Sequence, residues 1–310
     1  MREIIMLQPV LKEMIWGGSR LREEFHYDIP CDHTGECWAV SAHKNGDCMI
    51  QDGTFQGKSL SWLWQNHREL FGNVEGNEFP LLVKIIDAKT DLSIQVHPDD
   101  EYARVHEDGA LGKTECWYIL DCDEDATIVI GHNASSKEEL KDMIDQKKWS
   151  ELIKFRKISK GDFFQINPGT VHAIKGGTLI LETQQSSDIT YRLYDYDRLQ
   201  NGKPRELHLE KSIDVITCPH EEVMISNQNT NLQHAVVYEL ISCKYYTVER
   251  VVVNGRETFK QTEPFMLFSV IDGSGMIDNR KVEKGNHFIL PANYGDYTVE
   301  GDLELIVSYL

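Results

Sequence analysis

The stretch Leu92-Ser93-Ile94-Gln95-Val96-His97-Pro98-Asp99-Asp100 alternates strictly. On an extended backbone Ser93, Gln95 and His97 therefore share one face, and Leu92, Ile94 and Val96 fill the other. The inward face of a strand in a β domain is ordinarily apolar. An amide and an imidazole two residues apart on one face point instead to a bound polar group, and a metal ion is the leading candidate. Pro98 ends the strand, and Asp99 and Asp100 suit a helix N-terminus, where carboxylates accept from free backbone N–H groups.

Outward from this strand the chain reads as mainly β. Short β-branched or alternating segments bounded by Gly, Asn, Asp or Pro fall near 36–42, 81–87, 92–97, 115–120, 126–130, 162–166, 178–184, 189–194, 246–253, 265–271, 287–290 and 303–309. Helical patterns are fewer: 59–71, 99–107, 136–147 behind Ser135 and Ser136, and 205–217. They do not alternate regularly with the strands, which argues against a doubly wound α/β sheet and for a sandwich or barrel. Between 219 and 234 the chain turns polar. Two domains are expected, 1–225 and a smaller β domain over 226–310.

With 310 residues, 41% of them hydrophobic, the chain can fill a substantial core. Its net charge of -18 argues against a nucleic-acid or anionic-membrane partner, so any anionic ligand must meet a local basic cluster. No apolar run approaches the ~20 residues of a bilayer span, and Met1-Arg2-Glu3 opens no signal-peptide core, so a cytoplasmic protein is expected. Seven cysteines without a C-x-x-C pair fit neither a disulfide framework nor a thiolate zinc site.

A metal must then be held by His, Glu and Gln. Gln95 and His97 share a strand face, Glu115 opens the strand 115–120, and His172 follows the Pro168-Gly169 turn. Each has an ordinary role available, as strand end, surface carboxylate or turn histidine. Together, on separate strands of matching parity, they favour a metal. Lys84 interrupts the apolar run Leu81-Leu82-Val83-Lys84-Ile85-Ile86, where an ammonium needs an anion, either a ligand or Asp87. Lys113, two residues before Glu115, is a second cation on that face. Glu182 and Gln184 share one face of their strand, and Asp188 and Arg192 share another, as a ready ion pair.

Two longer segments are alike. Gly161-Asp162-Phe163-Phe164-Gln165-Ile166-Asn167-Pro168-Gly169-Thr170-Val171-His172 and Gly285-Asn286-His287-Phe288-Ile289-Leu290-Pro291-Ala292-Asn293-Tyr294-Gly295 both run from a glycine turn through an aromatic-rich strand to a proline turn. The pattern resembles the second motif of the cupin superfamily, which implies a double-stranded β-helix, or jelly roll. The C-terminal copy lacks a histidine after its proline turn, so that domain is expected to be metal-free and structural.

Ser93-Ile94-Gln95-Val96-His97-Pro98, Gly112-Lys113-Thr114-Glu115 and Asn167-Pro168-Gly169-Thr170-Val171-His172-Ala173 resemble type I mannose-6-phosphate isomerase in its short bacterial form. The resemblance extends from Trp16-Gly17-Gly18 to the segment ending at Arg192-Leu193-Tyr194-Asp195. It implies that Gln95, His97, Glu115 and His172 ligate one Zn2+ per chain and that Arg192 is the catalytic arginine. The implied reaction interconverts mannose 6-phosphate and fructose 6-phosphate through a cis-enediol. A sugar phosphate carries roughly -1.5 to -2 charge. Lys84, Lys113, Ser93 and Asp188 are its expected contacts, and Trp16 is expected either to stack on the sugar or to pack as a core tryptophan. The general base stays open between Glu182, Lys113 and a metal-bound water. The partner is a small molecule, met by a monomer or homodimer. His97, Glu115 and His172 would also suit an iron oxygenase of the two-His, one-carboxylate type; a non-catalytic sugar-phosphate-binding cupin is the third reading.

Overall fold

Two sheets packed face to face build the part of the molecule that carries the motifs, and each owes its position to strand parity. The computed structural model describes residues 2–225 and 228–310; the expected boundary at 225/226 touches residue 226, which lies outside the described residues. A six-stranded antiparallel sheet runs in the order Phe163–Ile166, Glu115–Cys122, Thr178–Gln185, Leu81–Ala88, Val10–Gly18, Thr34–Val40. A five-stranded sheet runs Ile153–Lys157, Thr127–His132, His172–Ile174, Ile94–Val96, Tyr191–Tyr194.

Alternate residues of the six-stranded sheet go to two cores. Val83, Ile85, Cys116, Tyr118, Leu179 and Leu181 join an apolar cluster with Leu267, Ile271, Ile289 and Ile306 of the C-terminal sheet. Ile86, Ala88, Trp117, Ile119 and Ile180 point the other way and meet Ile128 and Ile174 of the five-stranded sheet. This second cluster floors the space between the sheets. The far face of the five-stranded sheet, with Ile94, Val96, Val129, Ala173 and Leu193, is covered by Leu140, Ile144 and Leu152 from helices Lys137–Asp145 and Trp149–Leu152. Fully burying one such side chain stabilises the fold by about 1.5–3 kcal/mol, so a charge at Ile180 would separate the layers. The mainly β architecture and the decorating helices are those the sequence predicts.

A nine-stranded sheet takes most of its strands from residues 228–310. Its long strands Thr247–Gln261 and Gly295–Tyr309 pair along their full length without a register break. Two early segments, Ile5–Gln8 and Met49–Ile50, complete it. The apolar run Ile4-Ile5-Met6-Leu7, stopped by Pro9, reaches across to His287–Leu290.

Several elements differ from expectation. Strands Val10–Gly18, Ile153–Lys157 and Ala235–Ser242 were not foreseen; the first two carry charged residues on a half-exposed face that weakens the apolar alternation. The 59–71 helix divides at His67 into an α-helix, Leu60–Asn66, and a 3-10 turn, Arg68–Phe71. The last strand begins at Gly295 rather than 303. Among the described residues no helix is long and apolar enough to cross a membrane.

Candidate active site

The site lies between the two sheets, where polar side chains replace the apolar floor. Gln95 and His172 are direct cross-strand partners, and Arg192 pairs with Gln95 on the other side, so three polar residues form one row across the five-stranded sheet. His97 continues the Gln95 face. Three backbone bonds fix the strand end: Gly169 N–H donates to His97 O at 2.9 Å, Lys113 N–H to Pro98 O at 3.0 Å, and Tyr102 N–H to the capping Asp99 carboxylate at 2.8 Å. Glu115 arrives from the facing sheet, aligned with Gln184 in register. Gly112 lets that segment approach, since a Cβ there would sit 2.4 Å from Asp100 N.

His97, Glu115 and His172 bring their ligand atoms within 4.8 Å of one another, and all three are buried. His97 Nε2 is 3.4 Å and His172 Nε2 3.3 Å from the Glu115 oxygens. Each imidazole spends its Nδ1–H on a backbone carbonyl: His97 on Ile189 O at 2.7 Å, His172 on Thr170 O at 2.8 Å. That fixes the neutral tautomer with the Nε2 lone pair turned inward, the form and outer support that metal-ligating histidines use. Burial, then the Lys113 ammonium, holds His97 down to about 3, and burial lowers His172 as well. Neither Glu115 oxygen has a hydrogen-bond partner among the described residues. The Lys113 ammonium offsets part of the cost of burying this carboxylate, and the two imidazole lone pairs aimed at it are what a divalent cation would satisfy. The Gln95 amide lies 3.5 and 3.3 Å from the two Nε2 atoms. A half-turn of that amide brings its oxygen to the same point, so the four expected donors converge.

Lys113 Nζ stands 2.7 Å from Glu115 Oε2 and 3.2 Å from His97 Nε2. Burial opposes its charge, but Glu115 and Glu182 more than offset this and raise its pKa. In turn Glu115, penalised by burial, is held well below the usual carboxylate range by Lys113, His97 and His172. Lys113 is thus a charged group paired with Glu115.

Glu182 and Lys84 are direct cross-strand partners on the same inner face. Lys84 Nζ lies 3.7 Å from Glu182 Oε2; Trp117 Nε1 donates to Oε1 at 3.0 Å, and Oε2 has no hydrogen-bond partner among the described residues. Burial first, then the Glu115 carboxylate, pushes Glu182 up to about 7 against the pull of Lys113 and Lys84. The alternative Lys84–Asp87 pair is not formed; Asp87 accepts from Arg20 N instead, at 2.8 Å.

Arg192 donates through Nε to Ser93 Oγ at 3.3 Å and through Nη1 to Glu206 O at 2.8 Å. Burial and the neighbouring Arg205 lower its pKa. Asp195 accepts from both Arg198 and Arg205, so two guanidiniums hold one carboxylate, and Arg192 lies near enough to feel all three charges. The expected Asp188–Arg192 ion pair is absent. The chain leaves the six-stranded sheet at Gln185 and enters the other at Tyr191, and the intervening turn cancels strand parity. Asp188 accepts from Asn45 Nδ2 at 3.0 Å, and despite burial Lys84, Asn45, Lys113 and Lys12 lower its pKa. Trp16 is also corrected: at 3% exposure it packs among Ile86, Ala88 and Trp117 and is a floor residue, with no open face for a sugar.

A cavity of about 640 Å³ is lined in part by His43, Asn45, Leu111, Asp188 and Ile189; none of Gln95, His97, Glu115, His172, Lys84, Glu182 or Arg192 lines it, and it meets the site through Asp188 and through Ile189, whose carbonyl accepts from His97 Nδ1. A larger surface groove of about 720 Å³, at Arg2, Arg280 and Tyr294, shares no lining residue with it. The sequence reading overlooked Asn45 and the Arg198 and Arg205 pair. Asn45-Gly46 is a turn dipeptide that signals a hairpin, but nothing local says that the hairpin tip reaches Asp188.

Residues 4–115 match the family model "Phosphomannose isomerase type I, catalytic domain", and residues 237–310 match "Mannose-6-phosphate isomerase, cupin domain". The chain is 51% identical to mannose-6-phosphate isomerase ManA of Bacillus subtilis over 99% of each chain. The chain belongs to the type I phosphomannose isomerase family. Mannose-6-phosphate isomerase of Streptococcus mutans is 46% identical over 100% of this chain and 99% of its own. The crystal structure of the mannose 6-phosphate isomerase from Bacillus subtilis superposes with a TM-score of 0.97 at 48% identity, covering 99% of both chains. The jelly-roll assignment of the sequence reading therefore holds.

Proposed function

We infer that this chain is a metal-dependent aldose–ketose isomerase interconverting mannose 6-phosphate and fructose 6-phosphate. Family membership supports the reaction class, and one observation carries the chemistry: the His97, Glu115, His172 set lies in the same buried region as Glu182, whose Oε2 has no hydrogen-bond partner among the described residues. The metal is read as one Zn2+ per chain, held by Gln95, His97, Glu115 and His172. When bound, it supplies Lewis-acid stabilisation of charge on the sugar's O1 and O2.

The chain's residues supply the rest. After ring opening, Glu182 Oε2 takes the proton from C2; that C–H pair becomes the C1=C2 bond and the carbonyl pair moves to O1. Return of the proton to C1, with transfer of the O2 proton to O1, gives the ketose. A carboxyl raised to about 7 exchanges protons in both directions near neutrality. Lys84 donates to a sugar oxygen as charge builds there. Arg192 stabilises the enediolate, and Ser93 holds its guanidinium in line; Asp188 and Asn45 bound the entrance. Arg198 and Arg205, beyond Arg192, give the phosphate a cationic end of the site.

The site belongs to the first domain, 1–225, with 226–310 as its support. Seven cysteines, free in the structure, suit a cytoplasmic enzyme acting as a monomer or homodimer. The oxygenase and binding-only readings lack support: the family is one of isomerases, and Lys113 and Gln95 crowd the positions an oxygenase leaves open. The test is a coupled isomerase assay before chelation, after it and after zinc reconstitution. Activity is expected to vanish and return; a fully metal-loaded protein that interconverts nothing would overturn the reading.

A further inference from the structure

One row of side chains crosses the six-stranded sheet in register: Trp38, Lys84, Glu182, Trp117. An ammonium and a carboxylate are thus flanked by two indoles, and all four residues are buried. The indoles act differently. Trp117 gives its N–H to Glu182 Oε1. Trp38 turns its N–H away, to Glu36 Oε2 at 2.6 Å, and meets Lys84 with its ring, the ammonium lying 4.9 Å from the ring centre.

A buried ammonium and carboxylate in contact ordinarily close to about 2.7–2.9 Å. Here they stand 3.7 Å apart, and Glu182 Oε2 is left without a hydrogen-bond partner among the described residues. The Trp38 ring cannot drift to follow the lysine. Its nitrogen is tied to Glu36, and Gly46 packs so tightly on it that a Cβ at that position would come 2.8 Å from Trp38 Cε3. Lys12 Nζ, 3.3 Å from the same ring centre, adds a second cation to this fixed surface. A π face attracts an ammonium through its quadrupole without using the directed donors that a carboxylate would take.

We propose that Trp38 is a positioning residue whose ring holds the Lys84 ammonium short of Glu182, keeping Lys84 Nζ and Glu182 Oε2 free for the substrate's oxygens and its carbon-bound proton. The inference rests on the reading that the Lys84–Glu182 pair faces the sugar. Without the ring, Lys84 closes on Glu182 and each consumes the other. The loss then falls on kcat, while KM changes little because the phosphate is held by the arginine cluster.

The test uses metal-loaded enzyme with metal content checked for every variant. Trp38→Leu is expected to lower kcat about tenfold with KM within about threefold, and Trp38→Phe, which keeps a ring, to stay within about threefold of wild type. Mono-, di- and trifluorotryptophan introduced at position 38 alone preserve shape while weakening the ring's negative face, and kcat should fall stepwise along the series. Should Trp38→Leu fail to fold, the fluorinated series decides the matter. Lys84→Met separates the two levels of the argument. Wild-type kcat in Lys84→Met would refute the reading that the pair faces the sugar, and the inference with it. An impaired Lys84→Met beside a normal Trp38→Leu, or a flat fluorine series, would refute the positioning role alone.

Discussion

Glu182→Gln should make the protein more stable and nearly inactive, with the stability gain depending on pH. The amide has the shape of the protonated acid and keeps an oxygen for Trp117 Nε1, so it stands in for neutral Glu182. In the folded chain this carboxyl is raised from 4.5 to about 7. A raised acid binds its proton more tightly when folded, so its stabilising contribution is full below the unfolded value and is lost as pH rises through the folded one. A shift of about 2.5 units at ~1.36 kcal/mol each amounts to about 3 kcal/mol of strain carried by wild type above pH 8. The glutamine variant does not carry it. Urea unfolding of the chelated proteins should give nearly equal stabilities below about pH 4 and a gap approaching about 3 kcal/mol near pH 8.5 in favour of the variant. Metal loading should narrow the gap, because the cation offsets the Glu115 charge that helps raise Glu182. Turnover of the metal-loaded variant should fall by about 10²–10⁴, the usual contribution of a positioned base. A gap that is flat with pH would refute the electrostatic account of Glu182. Turnover within a few-fold of wild type would refute its role as base.

Arg192→Ala should cut kcat/KM by at least about 10²-fold in the same coupled assay, as removal of a charge-stabilising donor does elsewhere; near-normal turnover would exclude the arginine from catalysis. Gly112→Ala forces the segment that carries Lys113 and Glu115 away from Asp99 and Asp100. Metal affinity measured by competition with a chelator should drop while the circular dichroism spectrum stays that of wild type. Asp99→Ala removes the cap on Tyr102 N–H and should cost about 1 kcal/mol in thermal or urea unfolding. In metal-loaded wild type, kcat should rise with pH on the Glu182 limb and plateau above it, as a base that must be deprotonated requires, with the midpoint below the metal-free value of about 7 because the cation offsets the Glu115 charge.

The grouping of Gln95, His97 and His172 was legible because the evidence for it is local. Period-2 alternation puts Gln95 and His97 on one face within a single short strand, and the Pro168-Gly169 turn delivers His172 directly onto the neighbouring one. Lys84 was legible as an ammonium in an apolar run, but not its partner. Asp87 is near in sequence, whereas Glu182 is opposite only through a register set by the whole of two strands. Parity misled at Asp188 and Arg192 because the chain changes sheets between them. Trp16 shows the limit for aromatic residues, whose sequence surroundings do not distinguish a floor from a stacking face. The strand Ile5–Gln8 could have been found from its apolar run and Pro9, though not its membership of the C-terminal sheet.

Net charge misleads in the same way, and for a physical reason. A protein of charge -18 repels a sugar phosphate at long range, but salt screens exposed charges beyond about 8–10 Å, so the approaching anion meets only what lines the site. There the balance is reversed: Lys12, Lys84 and Lys113 surround Asp188 and Glu182, while Arg192, Arg198 and Arg205 surround Asp195. The acids in that lining are each held by a cation, and Glu182 alone is kept near the point of protonation. Burial strengthens every one of these interactions and makes a missing partner expensive. On the proposed reading, the buried site commits Lys113, Arg198 and Arg205 to fixed acids before substrate arrives, while Lys84, beside an indole, and Arg192, against a hydroxyl, hold no carboxylate at hydrogen-bond distance and stay available to the reaction.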